Sequence, residues 1–243
     1  MNGAEPRFAS YSWRETPQPM LAYGPLEGPQ LLILQPLFAE MNRLRRLLGR
    51  TMRLLALAGV GSWMPDLPGL GESPVPLAEV DLEGWREAAG QAAAAAQRMS
   101  GRPVLVAALR GGALLDGIEA PAHWRLSPLA GAAVLRDLVR ARIASDREEG
   151  ITVTGAELER RAAEAGILLA GYRLSPGLGG ALAAAAPPAV RPLRTVRLEG
   201  DGAPAEAYLA GPPLWRRAEP GDAPELAEAL AADLADWARA WAR

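Results

Sequence analysis

Cysteine is absent from this chain of 243 residues, and so is lysine: all 26 basic residues are arginine. Without a thiol there is no cysteine nucleophile, no disulfide and no thiolate metal site. Without a lysine amine there is no Schiff-base chemistry and no lysine general base. The single histidine, His123, rules out a multi-histidine metal centre, so no metal and no other cofactor is expected. Apolar runs stop well short of the roughly 20 residues that span a bilayer. Met1–Arg7 lacks the basic-then-apolar order of a secretory leader, and the expectation is a cytoplasmic protein with no membrane span. Nor does one sign of charge dominate. With 26 basic and 28 acidic residues the net charge is −2, which gives nucleic acid no electrostatic hold. The arginine-only basicity, alongside much Ala, Gly and Pro, reads as coding bias rather than mechanism.

What is present is an ordinary globular balance, 49% hydrophobic and 22% charged, in a length that suits one α/β domain with a sizeable core. The chain turns on Arg102–Leu115. Val104–Val106 is a β-favouring aliphatic run behind Pro103; Ala108-Leu-Arg-Gly-Gly112 is a turn of mostly small residues; Ala113-Leu-Leu115 reads as the buried start of a helix. Strand, tight turn and helix form the layout of the nucleophile elbow of α/β-hydrolases, whose turn needs small residues beside its central one. The central residue should be Ser, Cys or Asp and is Arg110, which stays protonated and cannot attack a carbonyl.

Around this turn, strands and helices alternate as in βαβ units of a parallel sheet. Residues 1–30 predict an N-terminal arm or edge strands, and 31–243 a single domain with a small helical cap insertion over about 148–190. Strands are expected at Leu31–Leu34, Gly59–Asp66, Ala122–Leu126, Thr195–Leu198 and Ala205–Leu209. Helices are expected up to about Ala58, where Arg43, Arg45, Arg46, Arg50 and Arg53 alternate with an apolar stripe, and over about 81–99, 129–147 and 156–164. The arginines of the first read as a solvated face, with a membrane-surface helix as the lesser alternative. A last helix follows Asp222-Ala-Pro-Glu225, a capping-box-like start, with Leu226, Leu230, Leu234, Trp237 and Trp241 along one face.

Several stretches share one resemblance. Leu37-Phe-Ala-Glu-Met-Asn-Arg-Leu-Arg-Arg46, Asp66-Leu-Pro-Gly-Leu-Gly-Glu-Ser73 and Leu109-Arg-Gly-Gly-Ala-Leu-Leu115, with Ala170-Gly-Tyr-Arg-Leu-Ser-Pro176 and Gly211-Pro-Pro-Leu-Trp215, resemble the second hydrolase type associated with exosortase A systems. The resemblance runs from about residue 30 to the end. The Phe38–Arg46 core is its more specific part, whereas the Asp66–Ser73 pattern is shared by α/β-hydrolases in general. It implies an α/β-hydrolase fold, with a mostly parallel central sheet flanked by helices, in a protein encoded beside exopolysaccharide and PEP-CTERM sorting genes. It also implies that Arg at the elbow is a habit of the group. Gln35 departs from it, standing where the group usually has His.

Acyl transfer on this fold needs a nucleophile, a base, an acid and an oxyanion hole. The acid position, after the penultimate strand, is filled by Glu199 or Asp201. The base position, after the last strand, is Gly211-Pro-Pro-Leu-Trp215 and holds no His. His123 precedes the acid in sequence and reads as a packed core residue rather than a displaced base. Ser73 reads as a turn or cap residue and Ser127 has no base near it in sequence. The triad is therefore degenerate. What should gather at the C-terminal edge of the sheet is charge: Arg110, Glu40, Asn42 and Asp201, with Phe38, Trp124 and Trp215 as ligand-binding candidates beside them. Arg110 then either pairs with Glu40 or Asp201 or clamps an anion. Three functions follow. One is a pseudoenzyme binding a small anionic or glycan-related ligand, or a protein partner in exopolysaccharide assembly. Another is a hydrolase of unconventional mechanism using Arg110 with Glu40 or Asp201. The third is a protein-interaction module that docks a partner through a helix.

Overall fold

The structure, a computed structural model, describes residues 5–217 and 219–242. Residues 1–4 of the expected arm, and Ala218 and Arg243 of the expected domain, lie outside the described residues.

An antiparallel hairpin, β1 (Arg7–Trp13) and β2 (Thr16–Tyr23), forms one edge of an eight-stranded sheet. Beyond it come β3 (Gln30–Leu34), α1 (Ala39–Leu57), β4 (Gly61–Pro65), α2 (Leu82–Ser100) and β5 (Val104–Leu109). Then follow β6 (His123–Leu126), α3 (Gly131–Glu148), α4 (Gly155–Glu164), the small hairpin β7 (Ile167–Leu169) and β8 (Tyr172–Leu174), and α5 (Pro176–Ala184). The chain ends with β9 (Leu193–Leu198), β10 (Ala207–Leu209) and α6 (Pro224–Trp241). The large sheet runs β1-β2-β4-β3-β5-β6-β9-β10, and every pairing from β4 to β10 is parallel. The central strands β3 and β5 are buried at every residue, as continuous aliphatic runs must be when helices cover both faces. On one face Val104, Val106 and Ala108 meet the alanine-rich side of α2 together with α3, α4 and α5. On the other, Leu105, Ala107 and Leu109 meet α1 and α6.

Three expectations change. No helix follows the elbow: Arg110–Leu114 is a single 3₁₀ turn. A parallel crossover that carries a helix takes a dozen or more residues, and Gly117 and Pro121 fall within the short span before His123. The short crossover carries instead a buried carboxylate that pairs with β6. Arg125 donates to both carboxylate oxygens of Asp116, at 2.6 and 2.8 Å, and to the Pro188 carbonyl. The start of α6 is also simpler than a capping box. Pro224 begins it, no side chain caps it, and Asp222 accepts only from its neighbour Ala223. Finally, the segment expected as a small helical cap insertion over about 148–190 contains, besides α4, the β7–β8 hairpin and α5, with α5 packed against α3 and α4.

Candidate functional site

At the end of β5 the backbone of Arg110 takes φ = 55°, the left-handed region that a β-strand must enter to reverse this sharply. Gly112 is required two residues on: a Cβ there would stand 2.4 Å from the Leu34 carbonyl oxygen. The elbow is thus built as the sequence predicts up to this point, and it presents a guanidinium.

That guanidinium is held by three neighbours. Its Nη2 donates to Glu40 Oε1 at 3.0 Å and its Nε to Oε2 at 3.3 Å, a two-point ion pair in which both side chains are about nine-tenths buried. Nη1 donates to the Ser127 carbonyl at 3.2 Å, and the Trp215 ring lies 4.3 Å from the guanidinium carbon. Each partner comes from a different element. Glu40 stands in the first turn of α1, where a carboxylate also suits the helix dipole. One turn along, Arg43 donates to the Trp215 carbonyl at 3.1 Å and so fixes the 3₁₀ turn Leu214–Arg216, in the loop where a base would stand. Ser127 follows β6 with φ = 41° and donates from Oγ to Asp201 Oδ2 at 2.8 Å; Asp201 also accepts from Arg197. Of six non-glycine residues with positive φ among the described residues, four (Phe38, Arg110, Ser127 and Ala170) belong to this neighbourhood.

Burial pushes the Glu40 carboxyl above its ordinary range and Asp137 adds to the push, while Arg110 and Arg43 oppose it. Beside Glu40 is a cavity of only about 30 Å³, bordered by Phe38, Val134, Asp137, Leu138 and Ala170. It has room for one or two waters. Phe38 packs edge-on against Trp85 and Tyr172, so its ring belongs to the core that walls this cavity.

Other expected site residues lie elsewhere. Trp124 points to the opposite face of the sheet, wholly buried under α6, and donates from its indole to Asp233 at 2.7 Å; strand alternation sends it away from the crevice. Asn42 is exposed and borders a separate groove between α1 and the β1–β2 hairpin. Glu199 is an exposed turn residue, whereas Asp201 reaches Ser127. His123 opens β6, four residues before Ser127 and about 13 Å of extended chain away, and donates from Nε2 to the Ile118 carbonyl at 3.0 Å. Ser73 is a turn residue: its Oγ accepts from the Gly69 and Val75 amides and donates to Gln18. Ser127, set aside in the sequence because no base is near it, is brought against the acid in space by its place after β6.

The assembly holds an arginine in place at the turn where the fold would present a nucleophile. Arg110 has no lone pair to give. The Ser127 hydroxyl is hydrogen-bonded to a carboxylate with no imidazole in reach.

No protein-family model and no curated protein matches the sequence. Solved structures do. Est1E from Butyrivibrio proteoclasticus, with ferulic acid bound, superposes with a TM-score of 0.61 at 13% identity, over 96% of this chain and 98% of that one. The proline iminopeptidase-related protein from Thermus thermophilus gives 0.58 at 17%, over 98% and 99%. The thioesterase domain from the curacin biosynthetic pathway gives 0.55 at 13%, over 96% and 99%. At these identities the likeness concerns the backbone and not the chemistry. The fold is that of the α/β-hydrolases, carried over the whole described chain.

Proposed function

We propose that this chain is a pseudoenzyme of the exosortase-associated type, without serine-hydrolase chemistry, which serves exopolysaccharide assembly by binding an anionic, glycan-related ligand. The observation that carries the reading is the engagement of Arg110: the residue at the nucleophile position is bound at two points to Glu40, stacked on Trp215 and hydrogen-bonded to Ser127. In this reading a substrate carbonyl meets a guanidinium at the elbow instead of a nucleophile. The segment over about 148–190 acts in this reading as a small cap, supported by Ala170, at the β7–β8 turn, bordering the cavity beside Glu40. The proposal includes a cytoplasmic location and no nucleic-acid partner. Among the described residues no helix is long and apolar enough to cross a membrane.

The test is turnover of a panel of short activated esters by the purified protein, with Arg110→Ala and Ser127→Ala alongside. Rates at the buffer background in all three are expected. Saturable turnover abolished by either substitution would overturn the reading.

A further inference from the structure

A groove of about 710 Å³ lies away from the elbow. It runs between α1 and the edge hairpin, within the size range of small-molecule sites. Its floor is apolar, made by Leu21 and Met64 of the sheet and continued along β2 by Pro19 and Tyr23, with Phe8, 88% exposed, at the rim beside Leu21. Its wall is the outer side of α1, where Asn42, Arg45, Arg46, Gly49 and Arg53 face it. The three arginines are exposed, and none forms an ion pair among the described residues.

The groove has two different ends. Strand pairing sets Met20 opposite Pro65 and Tyr23 opposite Ser62, so Asp66 and Glu72 lie at the Met20 end. Arg45 is close enough to Asp66 to act on its charge. At the other end Arg53 lies 5.6 Å from the Tyr23 ring, with no carboxylate lining the groove there. Arg46 and Arg53 are seven residues apart, two turns along one side of α1, and Gly49 lies between them. A Cβ at Gly49 would have only Arg53 Nη1 within 4 Å, at 3.8 Å, so the wall of the groove is open at this position and a larger side chain there would project into it. From Asn42 to Arg53 the wall is about 16 Å long, the length of an extended dodecyl chain.

We infer that this groove binds a single-chain amphiphile with an anionic head: the hydrocarbon lies on Phe8, Leu21 and Met64, and the head pairs with Arg46 and Arg53. Unpaired guanidiniums beside apolar floor fit such a ligand at both of its ends, whereas a neutral lipid would leave the arginines unused. This gives the proposed binding role a ligand class and a place, and rests on that reading for its setting. It uses no residue of the elbow, so the ester assay and the binding assay fail independently.

The experiment is calorimetric titration of the full chain with dodecyl phosphate below its micelle concentration, at low salt. Dodecanol and inorganic phosphate are separate probes, and retention on phosphatidylglycerol vesicles is measured in parallel. One-to-one binding of dodecyl phosphate is expected, with each half-probe weaker by about tenfold or more. Added salt should weaken it, because the arginines are exposed. Gly49→Leu projects into the groove without removing charge, in a residue better suited to a helix, and should abolish binding while far-ultraviolet circular dichroism stays unchanged. The pair Arg46→Gln and Arg53→Gln should weaken dodecyl phosphate about tenfold or more and leave dodecanol unaffected. Equal affinity for dodecanol, or binding that survives Gly49→Leu, would overturn the inference. So would retention on vesicles indifferent to Gly49→Leu, which would make this face a membrane-docking surface.

Discussion

Arg110 and Glu40 stand or fall together. Arg110→Met leaves a buried carboxylate with only Arg43 to oppose burial and the charge of Asp137. Loss of one partner of such a pair costs about 3–5 kcal/mol at neutral pH. The penalty has a pH dependence of known sign. With its partner gone, the Glu40 carboxyl in the folded chain rises further above its value in the unfolded chain. The folded state then holds a proton that the unfolded state has released, and stability falls as pH rises through that window. Urea denaturation should therefore show a smaller Arg110→Met penalty at pH 5 than at pH 7.5, and Arg110→Met with Glu40→Met should recover most of it. An equal penalty at both pH values would refute the account. At this scale the sequence is legible where chemistry is local. Arg110 is visible because a turn of small residues frames it. Its partner has to be chosen between Glu40 and Asp201, since 70 residues of chain separate Arg110 from Glu40. Trp124 escapes sequence reasoning because a four-residue strand, buried throughout, carries no alternation to tell its two faces apart.

The elbow turn and the helices around it make opposite demands on glycine. At Gly112 a methyl group would collide with the Leu34 and Gln35 carbonyls, backbone at the end of β3 that cannot retreat. Gly112→Ala should cost at least about 1–3 kcal/mol. At Gly90, inside α2, a Cβ meets nothing within 4 Å, and Gly90→Ala should gain about 0.5–1 kcal/mol. Thermal denaturation of the two variants checks both, and a shift in the same direction would show that the turn tolerates a methyl group after all. Long amphipathic helices such as α1, α2 and α6 are readable because their periodicity spans several turns. The failures are short elements. The apolar run Ala113–Leu115 looks like a helix start, and only the brevity of the crossover to His123 argues otherwise. The three-residue strands β7 and β8 are too short for any pattern and form because Leu169 and Leu174 find the core.

Across the whole molecule, the two helical layers are tied to the sheet by a few polar anchors. Asp233 of α6 is the most connected, accepting from the Trp124 indole of β6 and from the Arg194 guanidinium of β9. Asp233→Ala would strand a buried N–H and loosen Arg194, at a cost of about 1–3 kcal/mol. Chemical denaturation should register that loss, and an unchanged midpoint would mean that apolar contacts alone hold α6. Overall architecture is the most legible level of all, because strand–helix alternation and continuous aliphatic strands leave few topologies open. The groove beside α1 is not legible: its arginines read equally well as a solvated face until the hairpin is seen to leave apolar sheet uncovered beside them.

The ion pair at the elbow also acts as a latch between stretches of chain that are far apart in sequence. Arg110→Ser supplies a hydroxyl but strips Glu40 of its counter-ion and leaves the Trp215 ring without the cation it covers. Such a variant should be less stable, because β5, α1 and the loop that carries Trp215 lose the one guanidinium they share.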